Sequence, residues 1–175
     1  SIGTARSNRS YLRQFLRYLY LDGYIKKDLS SLVVSPPEFA RSKPPKFLRH
    51  HEVQKLFDSL DLSTTKDLRT NATLHLVYYL GLRPKEIRLL TLNDISFRQK
   101  EVLIHTRKNC EPAHLPISNN VIKAIAAYMV GARPETQSRV LFLQLTPPYK
   151  PTNTTDIPRD IKECMTKNNL ESSTY

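Results

Sequence analysis

The sequence of 175 residues predicts a mainly α-helical protein with one small antiparallel β-sheet, an α+β fold of two unequal parts. Three observations carry this expectation. Apolar residues recur at spacings of three and four through most of the chain, as they do where each helix buries one face. The period changes to two only between about residues 101 and 117, where a hairpin is expected. A run from Ser35 to Pro45 holds Pro36, Pro37, Pro44 and Pro45, too many for a helix or an inner strand, and divides the chain.

The elements follow in order. Tyr11, Leu12, Phe15, Leu16 and Leu19 mark a helix from about Arg9 to Leu21, with Ser7 or Asn8 as its cap and Asp22-Gly23 as its stop. The linker comes next. Val53, Leu56, Phe57 and Leu60 form a second helix; Leu68, Ala72, Leu76, Tyr79 and Leu80 form a third, ended by Gly81, the residue suited to a left-handed cap. Pro84 suits the first turn of a fourth helix that carries Ile87 and Leu90 inward. Val102 and Ile104, then Leu115 and Ile117, alternate with polar neighbours on either side of a break at Asn109 to Pro112. Ser118 or Asn119 caps a fifth helix with Ile122, Ile125, Ala126 and Met129 on one face. Leu141 to Leu143 read as a short strand, and Thr155 or Asp156 opens a last helix bearing Ile157, Ile161, Cys164 and Met165.

Composition narrows the function classes. No run approaches the roughly 18 apolar residues of a membrane span, and no apolar signal core opens the chain, so the sequence points to no membrane partner. Cys110 and Cys164 have neither the number for a disulfide framework nor metal-ligand spacing, so they read as plain thiols, with no metal and no cofactor expected. His75, inside an apolar helix, reads as a core or partly buried histidine. The formal net charge is +11, and residues 1–50 alone carry +7, ten Lys and Arg against Asp22, Asp28 and Glu38. Such a balance favours a polyanionic partner, nucleic acid first. The chain opens on Ser1 and stops at Tyr175 in a polar run, which reads as an internal segment of a longer protein.

The most informative stretch is Gly81-Leu82-Arg83-Pro84-Lys85-Glu86-Ile87, followed by Leu89-Leu90, Leu92 and Asp94. An arginine at a helix start, just after a glycine turn, sits on a short rigid connector from which its guanidinium can fork onto two phosphate oxygens. A solvated arginine, or one paired with Glu86, is the simpler possibility, and a helix, a Gly turn and a Pro-capped helix also spell a helix-turn-helix.

This stretch, with Lys108 eight residues before a Pro116 flanked by Leu115 and Ile117, resembles the tyrosine recombinase (phage integrase, Xer-like) family. The aromatic-rich helix ahead of Gly23-Tyr24-Ile25, the basic proline linker and Lys46-Phe47-Leu48 before Glu52-Val53 resemble the segments that precede the catalytic part of that family. The resemblance implies a core-binding domain ending at residues 1–34, a linker over 35–46 and the first two-thirds of a catalytic domain over 47–175. It implies Arg83 and Lys108 as catalytic cations, the arginine for charge on the non-bridging phosphate oxygens and the lysine for protonating the leaving oxygen, with Gly81 and Glu86 supporting the site. Basic positions expected on DNA are Arg13 and Arg17 on the first helix, Arg41, Lys43 and Lys46 along the linker, and Arg107 beside the turn lysine. The implied partner is duplex DNA, held by a multimer that becomes a tetrameric synapse, in the cytoplasm and associated with the nucleoid.

The His-x-x-Arg box and the nucleophilic tyrosine of the family are expected beyond Tyr175, so this segment alone should be inactive. Leu48-Arg49-His50-His51 imitates the box in the wrong order, with Lys46 where its first histidine belongs. Two other readings are a non-enzymatic helix-turn-helix regulator, which leaves the spacing of Lys108 and Pro116 unexplained, and a basic helical protein-interaction module.

Overall fold

The structure is a computed structural model and describes residues 2–34, 47–105 and 111–170. Their elements run α1 (Ile2–Leu21), a 3-10 turn (Ser30–Leu32), α2 (His50–Asp58), α3 (Thr65–Leu80), α4 (Pro84–Leu89), a 3-10 turn (Leu92–Asp94), β1 (Ile95–Ser96), β2 (Glu101–Ile104), β3 (Ala113–Pro116), α5 (Asn119–Gly131) and α6 (Asp156–Lys167). The fold is therefore mainly helical with one small antiparallel sheet. The chain separates into two compact units, Ser1–Pro45 and Lys46–Thr174.

In the first unit α1 begins at Ile2, well ahead of the expected Arg9. Ser7 and Asn8 are exposed helical residues and not caps, because nothing between Thr4 and Ser10 breaks a helix. The helix stops at Asp22-Gly23 as its sequence indicates: Gly23 takes φ +76, and the Tyr24 amide turns back to Leu19 O at 2.9 Å. Leu16 and Leu19 are half-buried, whereas Tyr11, Leu12 and Phe15 are exposed.

The second unit is built around α3. Thr64 caps it, its hydroxyl accepting the Asp67 amide at 3.2 Å, and Asp67 places negative charge against the helix N-terminus. Leu68, Ala72 and Leu76 enter the main core with Leu82, Ile87 and Leu90, the sheet residues Ile95, Val102 and Ile104, and Val121, Ile125 and Tyr128 of α5. A smaller core joins Leu56 and Leu60 to Leu74, Cys164 and Leu170. Buried polar residues Arg69, Thr70, Asn71 and Thr73 also line α3, which an apolar periodicity does not reveal. Arg69 explains its own burial by donating to Asp160 Oδ2 at 2.7 Å and to Leu143 O at 3.2 Å, which ties α3 to α6.

The sheet runs β1-β2-β3, antiparallel throughout. The hairpin pairs Val102 with Leu115 and Ile104 with Ala113, as the alternation indicates, while β1, only two residues long, is too short to show a period. Two expectations need correction. On α5 the buried face is Val121, Ala124, Ile125 and Tyr128, shifted from the predicted one, so that Ile122 and Met129 lie at its margin. Leu141 to Leu143 are fully buried but join no strand of the sheet. They make isolated bridges instead, Val140 to Thr91 and Leu143 to Pro151, because Arg133 takes up the carbonyls of Ser138, Val140 and Leu141 at 2.5 to 3.2 Å, and the Tyr128 hydroxyl accepts the Leu143 amide at 3.1 Å.

Candidate active site

The site begins at the end of α3. Gly81 takes φ +62, its amide bonds to Val77 O at 3.0 Å, and the Leu82 side chain turns into the core. That turn delivers Arg83 in an extended conformation directly ahead of Pro84, whose missing amide costs nothing at the first helical position. α4 is only six residues long, so the cation itself, and not a helix dipole, dominates the field here.

Glu86 fixes the arginine. Its Oε2 accepts the Arg83 amide at 2.7 Å and its Oε1 accepts Arg83 Nη1 at 3.2 Å. The carboxylate is 5% exposed and the guanidinium 62% exposed, so the anchor is inside and the cationic head is outside. Among the described residues one of its five N–H groups is engaged, and four remain as donors.

Beneath Glu86 lies a small cleft lined also by Leu89, Leu90, Asp94, Leu103, Ile104 and His105. Asp94 closes the 3-10 turn by accepting the Thr91 amide and hydroxyl on Oδ2 at 2.7 and 2.8 Å. Its Oδ1 meets His105 Nε2 at 2.7 Å. The sequence marks Asp94 as part of the stretch that follows Arg83 but gives it no partner, and it gives His105 no role, since their contact crosses eleven residues and a strand pairing.

The structure brings Gly81, Arg83 and Glu86 together. Lys108 and Arg107 lie outside the described residues, as do Arg41, Lys43, Lys46 and Cys110. The described part of the hairpin ends at His105 and resumes at Glu111. In the first unit Arg13 and Arg17 are both exposed; Arg13 Nη2 donates to Val33 O at 2.8 Å, and the Arg17 charge acts on Asp28. Asp28 itself is held below the ordinary carboxylate range, chiefly by its hydrogen bonds with Ser30.

A half-buried His75 packs between Phe57 and Tyr79 on α2 and α3, with ring centroids 4.5 and 5.6 Å away. Its Nδ1 donates to Asn71 O at 3.0 Å, and burial holds its pKa below the usual value despite that bond. No helix among the described residues is long and apolar enough to cross a membrane, and no three potential metal ligands among them form a cluster.

This arrangement of helices around a three-stranded sheet defines a class of fold. The structure superimposes on a lambda integrase dimer bound to a COC′ core site with a TM-score of 0.72 at 14% identity, covering 99% of this chain and 47% of that one. The XerH recombinase bound to its difH substrate gives 0.69 at 15% identity, covering 99% and 50%. Sequence is more specific. Residues 46–174 match the phage integrase family, and the chain belongs to that family. It is 32% identical over 146 residues to the putative integrase/recombinase y4rF of Sinorhizobium fredii (strain NBRC 101917 / NGR234), covering 83% of this chain and 34% of that protein. It is 32% identical to the tyrosine recombinase XerC of Bacillus subtilis (strain 168) over 71% of this chain and 40% of XerC. The chain thus spans less than half the length of these relatives.

Proposed function

We propose that this chain is part of a site-specific tyrosine recombinase that binds duplex DNA and, in the complete protein, cuts and rejoins strands through a 3′-phosphotyrosyl intermediate. Residues 1–34 end the core-binding domain, 35–46 link, and 47–175 belong to the catalytic domain. The observation that carries the reading is the exposed Arg83 guanidinium anchored on the buried Glu86, in a family whose relatives are recombinases. Phosphodiester cleavage develops negative charge on the non-bridging oxygens, and a cation already fixed in place stabilises that charge without reorganising.

Lys108 takes the leaving-group role on the hairpin turn, since an alkoxide leaves poorly unless it is protonated. Arg13, Arg17, Arg41, Lys43, Lys46 and Arg107 track the phosphates, and the complete protein acts as a multimer on DNA in the cytoplasm. A helix-turn-helix regulator is the weaker reading. α4 is about 9 Å long at helical rise, and its Glu86 and Ile87 face inward, which leaves little surface for a groove.

The test uses a suicide substrate with the product of the complete reading frame that encodes this chain. A covalent protein–DNA adduct is expected. Arg83→Ala should abolish it while leaving affinity nearly intact, because one phosphate contact among many matters little to binding but much to developing charge. An unchanged adduct yield in that variant would remove Arg83 from catalysis.

A further inference from the structure

Two buried carboxylates, Glu86 and Asp94, line one cleft, and each holds an exposed side chain. Arg83, 62% exposed, is held by Glu86; His105, 59% exposed, is held by Asp94, itself 4% exposed. Glu86, Asp94 and His105 all line that cleft, so the histidine shares its wall with the carboxylate that orients Arg83.

We propose that His105, oriented by Asp94, is a second phosphate contact beside Arg83, one that engages only when the imidazole is protonated. The chemistry follows from the hydrogen bond. Both oxygens of Asp94 are engaged, Oδ2 by Thr91 and Oδ1 by His105 Nε2, and an ionised carboxylate only accepts. Nε2 therefore carries a hydrogen. In the neutral ring Nδ1 is then a bare acceptor, which a phosphate oxygen repels; in the imidazolium it is an outward N–H donor. Among the described residues Nδ1 has no partner.

The charged groups that share the cleft with the ring are Asp94 from the 3-10 turn and Glu86 of α4, which in turn holds Arg83. Elsewhere on the hairpin His114 stands 3.5 Å from Glu101, a separate titratable pair. Arg83 carries its charge permanently, whereas His105 offers an outer donor only in its imidazolium form, so the affinity of the site for a phosphate follows the protonation of that ring. This inference rests on the reading of the chain as a DNA-binding recombinase.

The experiment measures binding of the 175-residue chain to a labelled duplex by fluorescence anisotropy across a salt series, at about pH 5.5 and about pH 8. One added phosphate contact steepens the slope of log affinity against log salt by about 0.9. Wild-type protein should show at least that steepening in acid, with the other histidines adding to it. His105→Gln keeps an uncharged donor for Asp94 and should remove about 0.9 from the steepening, whereas His114→Gln should leave the His105 share in place. His105→Lys should be steep at both pH values. Circular dichroism confirms that each variant folds. If binding depends on salt but His105→Gln titrates as the wild type does, the proposal is overturned and the recombinase reading stands. If binding is flat in salt, that reading fails first and the proposal falls with it.

Discussion

Glu86 is the residue on which the geometry of the site turns, and replacing it separates two things it does. In Glu86→Ala the Arg83 amide loses a charged acceptor at 2.7 Å, and hydrogen bonds to charged groups contribute about 1.5–3 kcal/mol. The ion pair at 3.2 Å adds about 0–1 kcal/mol, the low range applying because the guanidinium is largely in water. Against these stands the relief of the desolvation of a buried carboxylate, which lowers the net loss. The expected destabilisation is about 1.5–3 kcal/mol in urea unfolding followed by far-ultraviolet circular dichroism, at unchanged m.

Glu86→Gln tells which contact matters. Glutamine keeps one acceptor oxygen for the Arg83 amide and gives up the charge, so the loss should be about 0.5–1 kcal/mol. Alanine costing less than about 0.5 kcal/mol would refute the claim that this carboxylate secures the start of α4. Glutamine costing as much as alanine would show that charge, and not the capping hydrogen bond, is what holds Arg83.

Three further outcomes follow from the same structure. Gly81→Ala should lower stability by about 1 kcal/mol in a thermal melt, through backbone strain alone, since φ is +62 and a Cβ would meet nothing within 4 Å. His75 has its folded pKa below the unfolded value near 6.5, so the native state binds fewer protons; its stability contribution is whole above that value and is lost as pH falls through it, and His75→Gln should flatten that acid-side fall in chemical denaturation. The exposed Tyr11, Leu12 and Phe15 of α1 should drive self-association visible by light scattering, which Phe15→Lys should weaken; a strict monomer with strong amide protection along α1 would contradict this.

What the sequence made legible was governed by local rules. Gly81 ends α3 because few other residues accept its φ, and Pro84 starts α4 because its ring suits that position; both effects act within a few residues. The hairpin is readable for the same reason, its two halves being close in sequence. Long-range choices were not. Leu141 to Leu143 have the composition of a strand, yet Arg133 and Tyr128 capture their backbone groups from α5 and its end, and no pattern within the segment announces those partners. Arg69 looks like a surface charge on a helix until Asp160 arrives from 91 residues away. In the candidate site the divide falls at the same place: Arg83 and Glu86 are three residues apart, close enough for the sequence to offer their pairing as one alternative, whereas His105 reaches Asp94 only because β1 and β2 fold the chain back on itself.

The burial of two carboxylates in one small cleft is costly by itself, since among the described residues neither Glu86 nor Asp94 is paired with a buried cation. Each is instead satisfied by backbone or hydroxyl donors, and each spends one remaining oxygen on a side chain whose far end stays in water. For stability alone this is a poor use of an ion pair, because an exposed partner returns at most about 1 kcal/mol. For a phosphate site it is a favourable one. The buried oxygens fix the rotamers of Arg83 and His105 in the free chain, so the ordering cost of polar side chains is met during folding and not during binding of an anion. Arg83 keeps its remaining N–H groups on its exposed side, and His105 gains one only on protonation, so an anion that displaces water there meets donors whose positions are already set. Under the proposed function, the same geometry means that disturbing Glu86 should show more in strand cleavage than in affinity for DNA: the Arg83 charge remains when its anchor is lost, but its position does not.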